Sequence, residues 1–265
     1  MMRAATELTT ANIRMNSRSP VWLFDLDNTL HDASHAIFPA ITANMNSYIA
    51  DVLGDGVTPA CHERVNAVRT RYWHLYGATL LGMVRHHNVR SEEFLRAAHR
   101  FDALGPMIRA ERGLGQLLKR LPGRKILLTN APQRYSRDVL RHLGLQHHFS
   151  HHIAIESMVV HRQLRPKPSR LMLQKLLRKQ GLSARRCILV EDTLANLKSA
   201  KAIGMRTAWI TQYGVRQSGM QKSNTNDPLE TLIASKTLKC PAYVDVKVKS
   251  VRHLPGRLAC LQRAD

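Results

Sequence analysis

Acidic residues are scarce in this chain. Its 265 residues include nineteen Asp and Glu against forty Lys and Arg, for a formal charge of +21. Aromatic residues make up only 5%, too few for the stacking platform of a single-strand-binding protein. The four cysteines, Cys61, Cys187, Cys240 and Cys260, are far apart and form no Cys-x-x-Cys pair. They read as free thiols in a reducing compartment, and the cytoplasm is the expected location. No apolar run approaches the roughly 20 residues that a membrane helix needs. The opening "MMRAATELTTANIRMNSRSP" has no apolar centre of the kind a secretory signal carries, so residues 1–19 are expected to be a disordered tail.

The surplus of positive charge is compatible with nucleic acid, an acidic membrane or small anionic substrates. The basic residues are spread along the whole chain, however, with no Lys/Arg block marking a nucleic-acid arm. At 44% hydrophobic, the chain can bury a sizeable core.

Four short apolar runs do not alternate with polar residues: "VWLF" (21–24), "KILL" (125–128), "CILV" (187–190) and "TAWI" (207–210). That pattern predicts strands buried on both faces, as in a parallel sheet. Helical stripes lie between them. Leu114, Leu117, Leu118 and Leu121 precede the second run, and Tyr135, Val139, Leu140 and Leu143 follow it, stopped by Gly144. Leu173, Leu176 and Leu177 form a third stripe, opened by Pro168 and closed by Gly181. Leu194, Leu197, Ala200 and Ile203 form a fourth, closed by Gly204. Strands alternating with helices predict an α/β fold.

The first interval breaks this rhythm. Phe38, Ile41, Met45, Ile49 and Val52 share a helical face, residues 63–87 form a second helical segment broken at Gly77, and "SEEFLRAAHRF" opens with a Ser/Glu capping arrangement. The spacing predicts a helical insertion over residues 32–105, within a core formed by 20–31 and 106–252. After residue 211 the chain turns polar and is expected to be a loop as far as about residue 240. Val244, Val246 and Val248 then alternate with polar residues as in an edge strand, and residues 253–265 are expected to be a tail.

In open α/β sheets, ligands gather beyond the carboxyl ends of the strands. The first run ends in Asp25-Leu26-Asp27-Asn28-Thr29, the second in Thr129-Asn130 and the third in Glu191-Asp192, while Lys167 stands between Pro166 and Pro168. Four carboxylates at one sheet edge would repel one another strongly without a cation. A hard divalent ion such as Mg²⁺ prefers oxygen ligands of this kind. Taken singly, each element has a plain structural reading as a turn, a cap or a solvated charge. Their order and their placement at strand ends argue for a catalytic site.

These motifs resemble those of the haloacid dehalogenase (HAD) superfamily of phosphohydrolases: "DLDNT" (25–29), "LTN" (128–130), Lys167 in "RPKP" and "VEDTLAN" (190–196). The resemblance implies a Rossmann-like core, with the helical insertion as a C1 cap. It further implies Asp25 as the nucleophile forming an aspartyl-phosphate, and Asp27 as acid and then base. Mg²⁺ would be held by Asp25, the Asp27 backbone carbonyl and Asp192, with Glu191 acting directly or through water. Thr129 and the Asn130 amide would bind phosphate oxygens, and Lys167 would neutralise charge.

Phosphoryl transfer asks mainly for positioning and charge stabilisation. A carboxyl that must hold a proton at the right moment calls for a raised pKa at Asp27. Within the superfamily, an acid at position 27 favours phosphate chemistry over carbon–halogen cleavage. "DNTL", the segment 71–87 and "VEDTLANL" look most like the pyrimidine 5′-nucleotidase branch, which implies a nucleoside monophosphate such as UMP or CMP as substrate. Tyr72, His74, Tyr76 and Arg85 are the candidate cap contacts, although aromatics at helical spacing also fit a cap core. His31 stands directly after the first motif, but with fourteen histidines in the chain its position alone carries little weight. The alternatives are another small phosphate such as phosphoglycolate or a sugar phosphate, a phosphomutase, and a basic nucleic-acid-binding protein with a vestigial site.

Overall fold

The computed structural model describes residues 19–213 and 240–262. The tail expected over 1–19 and the loop expected over 212–240 lie outside them, apart from the edge residues Ser19, Gln212, Tyr213 and Cys240.

The core is a six-stranded, wholly parallel sheet. Its strands are β1 (Val21–Phe24), β2 (Arg124–Leu128), β3 (His151–Ile153), β6 (Cys187–Glu191), β7 (Arg206–Ile210) and β8 (Val246–Val248), in the order β3-β2-β1-β6-β7-β8. Side chains alternate across a strand, so β1 feeds two cores at once. Trp22 and Phe24 pack with Leu127, Ile188 and Val190 under helices α5 (Leu114–Arg120) and α6 (Gln133–His142). Val21 and Leu23 pack on the opposite face with Leu189 and the stripes of α7 (Arg170–Lys179) and α8 (Leu194–Lys201). Burial on both faces explains why these strands lack polar alternation.

Between β1 and α5 the chain forms α1 (Ile37–Leu53), α2 (His62–Tyr76), α3 (Thr79–His86) and α4 (Ser91–Ala98). They enclose their own apolar cluster, including Ile49, Val65, Tyr72, Met83, Phe94 and Leu95, and form the cap of a Rossmann-like fold. Gly77, in the left-handed region at φ 75°, separates α2 from α3. Ser91 falls inside α4 rather than at its cap, which is Arg90, and no side chain caps that helix.

The sequence showed no sign of three short strands. β3 begins with two histidines and carries little apolar signal. β4 (Val159–Val160) and β5 (Gln163–Leu164) form a hairpin whose two turn residues, His161 and Arg162, both have positive φ without being glycine or asparagine. The end of the chain corrects an expectation. Residues 253–262 are not a tail, because Leu254 and Leu261 are buried in the main core, Leu258 packs against it, and a short helix closes over Leu258–Gln262.

Candidate active site

The sheet order places β1 between β2 and β6, where the direction of winding reverses, and it is beyond the strand ends at such a point that open α/β sheets bind their ligands. Register then decides which side chains meet there. Phe24 is level with Val190, and the Asp25 amide continues the ladder to the Val190 carbonyl at 3.0 Å, so Asp25 emerges beside Glu191. Phe24 is also level with Leu127, so the second strand delivers Thr129 to the same edge.

Lys167 arrives between the β4–β5 hairpin and α7, whose N-cap Ser169 accepts a bond from the Met172 amide. The Lys167 ammonium is buried and lies 2.7 Å from both Asp25 Oδ1 and Glu191 Oε2. The other Asp25 oxygen accepts a bond from the Thr29 hydroxyl at 3.2 Å. Asn130 holds the lysine's backbone rather than facing outward: its Nδ2 donates to the Lys167 carbonyl at 3.0 Å, and its Oδ1 accepts from the Lys167 amide at 2.9 Å. Thr129 is buried, and its hydroxyl accepts from the Ala131 amide.

Asp27 is anchored differently. Its Oδ1 accepts from the Tyr135 hydroxyl at 2.6 Å and from His31 Nε2 at 2.8 Å. The sequence offers His31 as a residue that could face the site, but only weakly, and gives no sign of Tyr135 as a site residue. Tyr135 reads there only as part of a helical stripe, and His31 as one histidine among fourteen. Asn28, between the two acids and Thr29, has φ 59°, and its Oδ1 accepts from the amides of Ala33 and Ser34. It thereby fixes the turn that leads from the site into the cap.

The electrostatics show a shortage of positive charge. Burial first, and the Glu191 charge second, push Asp25 up to about 7 against the pull of Lys167. Burial with the charges of Glu191 and Asp25 raises Asp192 well above the ordinary carboxylate range. Burial also pushes Glu191 up, but the Lys167 charge and several hydrogen bonds more than offset it and leave that carboxyl low. Lys167 itself is raised, since Asp25 and Glu191 outweigh the cost of burying its charge. Carboxylate oxygens of Asp25, Glu191 and Asp192 lie within 4.8 Å of one another. Three oxygen donors converging around one lysine suit a hard divalent cation.

The raised pKa expected for Asp27 is not found. Burial pushes it up, but the His31 hydrogen bond and charge, with the Tyr135 hydroxyl, hold it below the ordinary range. The reason is local: both donors stabilise the ionised form.

The hydrogen bonds and ring contacts of the four cap candidates lie within the cap. Tyr72 is buried in the cap cluster, with its hydroxyl on His87 Nε2 at 2.7 Å and its ring stacked on His86 at 5.3 Å. Tyr76 bonds His86 Nε2 at 2.6 Å, and the Arg85 guanidinium lies over the Tyr76 ring. His74 is exposed and meets Trp73 edge-on. These contacts all stay within α2, α3 and His87.

Fold and site together define an open α/β enzyme core with a carboxylate–lysine centre at its switch point and an inserted helical cap. The family model for haloacid dehalogenase-like hydrolases matches residues 21–204, and the chain belongs to that family. Phosphoglycolate phosphatase 1 of Pseudomonas aeruginosa is 28% identical over 205 residues, covering 72% of this chain and 69% of that protein. Among solved structures, a HAD phosphatase from Thermococcus onnurineus is similar at a TM-score of 0.55 and 16% identity, over 92% of this chain and all (100%) of the other. A Bacillus subtilis HAD hydrolase solved with magnesium bound is similar at 0.53 and 14%, over 91% and 99%. At such identities the structures speak for the fold.

Proposed function

We propose that this protein is a Mg²⁺-dependent phosphomonoester hydrolase working through an aspartyl-phosphate on Asp25. The observation that carries the reading is the Lys167 ammonium, buried 2.7 Å from Asp25 and from Glu191 at the edge of a three-carboxylate group. Asp25, Asp192 and Glu191, with the Asp27 backbone carbonyl, are the ligands proposed for the ion. When bound, Mg²⁺ supplies charge neutralisation for the nucleophile and the phosphoryl oxygens.

The chain's own residues account for the rest. An Asp25 oxygen attacks phosphorus, and the bond to the ester oxygen breaks as the O–P bond to Asp25 forms. The departing oxygen takes a proton from Asp27. Water then attacks the same phosphorus and gives its proton to Asp27, the Asp25 carboxylate leaves, and orthophosphate is released. Lys167 holds Asp25 in place and offsets charge, while Thr129 and the Asn130 backbone amide are proposed to hold phosphoryl oxygens. Asp27 is held low in the resting site; the negative charge of an arriving phosphomonoester beside it favours the protonated form, and the proton is taken up from solvent.

For the substrate we favour a small phosphomonoester of the phosphoglycolate kind over a pyrimidine nucleotide, because the Pseudomonas relative carries that activity in its name and the cap tyrosines and Arg85 are engaged within the cap. A panel of phosphoglycolate, sugar phosphates, UMP and CMP, ranked by kcat/KM with Mg²⁺ present, tests this. UMP or CMP at the head of the ranking would reverse the substrate choice. Absence of phosphate release from every member, and from a generic aryl phosphate, would end the phosphatase reading.

A further inference from the structure

Asp27 is held through one oxygen only. Tyr135 and His31 both donate to Oδ1, and among the described residues no hydrogen bond engages Oδ2. Two donors on one oxygen fix the rotation of a short side chain and leave the other oxygen free. The donors come from separate elements. His31 follows the first strand on the way out to the cap and is fully buried. Tyr135 lies on α6, 108 residues from Asp27 in sequence.

Each donor shows signs of being kept for this contact. The His31 ring is buried with Nδ1 unpartnered, and a buried polar atom without a partner is costly enough to need a reason. A leucine would fill the same space without that cost, so the imidazole is retained for the bond its Nε2 makes. The Tyr135 ring is packed by His99 at 5.3 Å and Phe101 at 5.8 Å, both on the stretch that returns from α4 to the core. The outgoing crossing thus supplies one donor, and the returning crossing braces the other.

We propose that Tyr135 and His31 are positioning residues that clamp Oδ1 of Asp27, so that Oδ2 is the atom that gives the proton to the leaving group and takes it from water. This rests on the phosphatase reading above. It assigns neither residue a contact with substrate.

The test uses the full-length protein with Mg²⁺ and two substrates, followed by rapid quench. With p-nitrophenyl phosphate, nitrophenolate departs without needing a proton, so only the later attack by water depends on Asp27. A non-activated alkyl phosphate from the substrate panel needs the proton in the first step. For Tyr135→Phe and His31→Leu, p-nitrophenyl phosphate is expected to give a near-stoichiometric burst of nitrophenolate. Steady turnover should then be slowed by roughly 10- to 100-fold, in keeping with the cost of a misplaced catalytic group. The alkyl phosphate should show a similar or larger fall in kcat with no burst and little change in KM. His31→Gln, which keeps an N–H donor, should recover much of the rate. Tyr135→Phe removes a single hydroxyl, so folding does not obscure the result. Wild-type kinetics in both variants, or a loss matched only by a smaller fraction of folded enzyme, would overturn the clamp. A wild-type protein inert to p-nitrophenyl phosphate would instead overturn the phosphatase reading.

Discussion

Asn130 and Lys167 hold each other through a reciprocal pair of hydrogen bonds: Nδ2 of the asparagine to the lysine carbonyl, and the lysine amide to Oδ1. The amide side chain imitates one rung of a β-ladder and ties a loop to the end of β2. Its removal should move the lysine, and a misplacement near 1 Å costs about 100-fold in rate. For Asn130→Ala we expect kcat/KM on a phosphomonoester to fall by roughly 10- to 100-fold and stability by about 1–3 kcal/mol. Phosphate release and a denaturant melt on the same preparation check both. An unchanged kcat/KM would show that Lys167 is held by other contacts.

The same pair marks the limit of what the sequence reveals. Asp25, Glu191, Asp192, Thr129 and Lys167 were legible because each sits at or near the end of an apolar run or between two prolines, which are local signals. Lys167, the partner of Asn130, and Tyr135, one of the two partners of Asp27, lie 37 and 108 residues away, and the fold brings them together. The β4–β5 hairpin turns on His161 and Arg162, which carry none of the usual turn chemistry. At the other end, Leu254, Leu258 and Leu261 are interrupted by Pro255 and Gly256. Such a broken pattern looks like a tail until it is seen against the core.

Lys167→Met keeps the length of the side chain and removes its charge. Two buried carboxylates then face each other without their shared partner. Losing one member of a buried ion pair costs about 3–5 kcal/mol, and the loss should be largest without metal. We expect activity to fall by at least about 100-fold and added Mg²⁺ to raise Tm by more in the variant than in wild type. Equal Mg²⁺ shifts in the two proteins would mean that lysine and ion do not share a charge-balancing role.

The carboxyl of Asp25, pushed up to about 7 by burial and the Glu191 charge, gives the metal-free protein a definite pH response. Between about pH 4 and pH 7 the folded protein holds a proton that the unfolded chain has released, so the stability of the metal-free protein falls as pH rises through that window. A bound cation needs the ionised carboxylate, so Mg²⁺ affinity should rise over the same window. Melts at several pH values, with EDTA and with Mg²⁺, check this. Parallel pH dependences in the two conditions would show that the ion does not displace this proton.

Asp245 carries the opposite sign. Burial raises its pKa, but the Lys201 hydrogen bond, the Thr207 amide and the nearby charge hold it below the ordinary value. Its Oδ2 accepts from the Thr207 amide at 2.8 Å and ties the start of β8 to β7. The folded state therefore favours the ionised form, and the contribution is present above the unfolded pKa and lost as pH falls through the folded one. Asp245→Asn should cost about 1–3 kcal/mol at neutral pH. In urea melts the gap between wild type and variant should narrow as pH falls below the ordinary carboxylate value and through the depressed folded one. A gap of constant size would assign the effect to packing instead of charge.

Gly82 meets Tyr72 so closely that a Cβ would stand 2.1 Å from the ring's Cγ and 2.5 Å from its Cβ. These are atoms at the base of the side chain, and the tip is already fixed by His87 and by stacking on His86. The ring therefore cannot swing aside, and α2 and α3 must separate. Gly82→Ala should destabilise the cap by about 1–3 kcal/mol, the usual cost of overpacking, even though alanine is the better helix former. Because the cap has its own apolar cluster, faster amide exchange should appear in α2 and α3, while the strands carrying Asp25, Thr129 and Glu191 keep theirs. Exchange that rose equally in β1, β2 and β6 would mean that cap and core unfold as one unit.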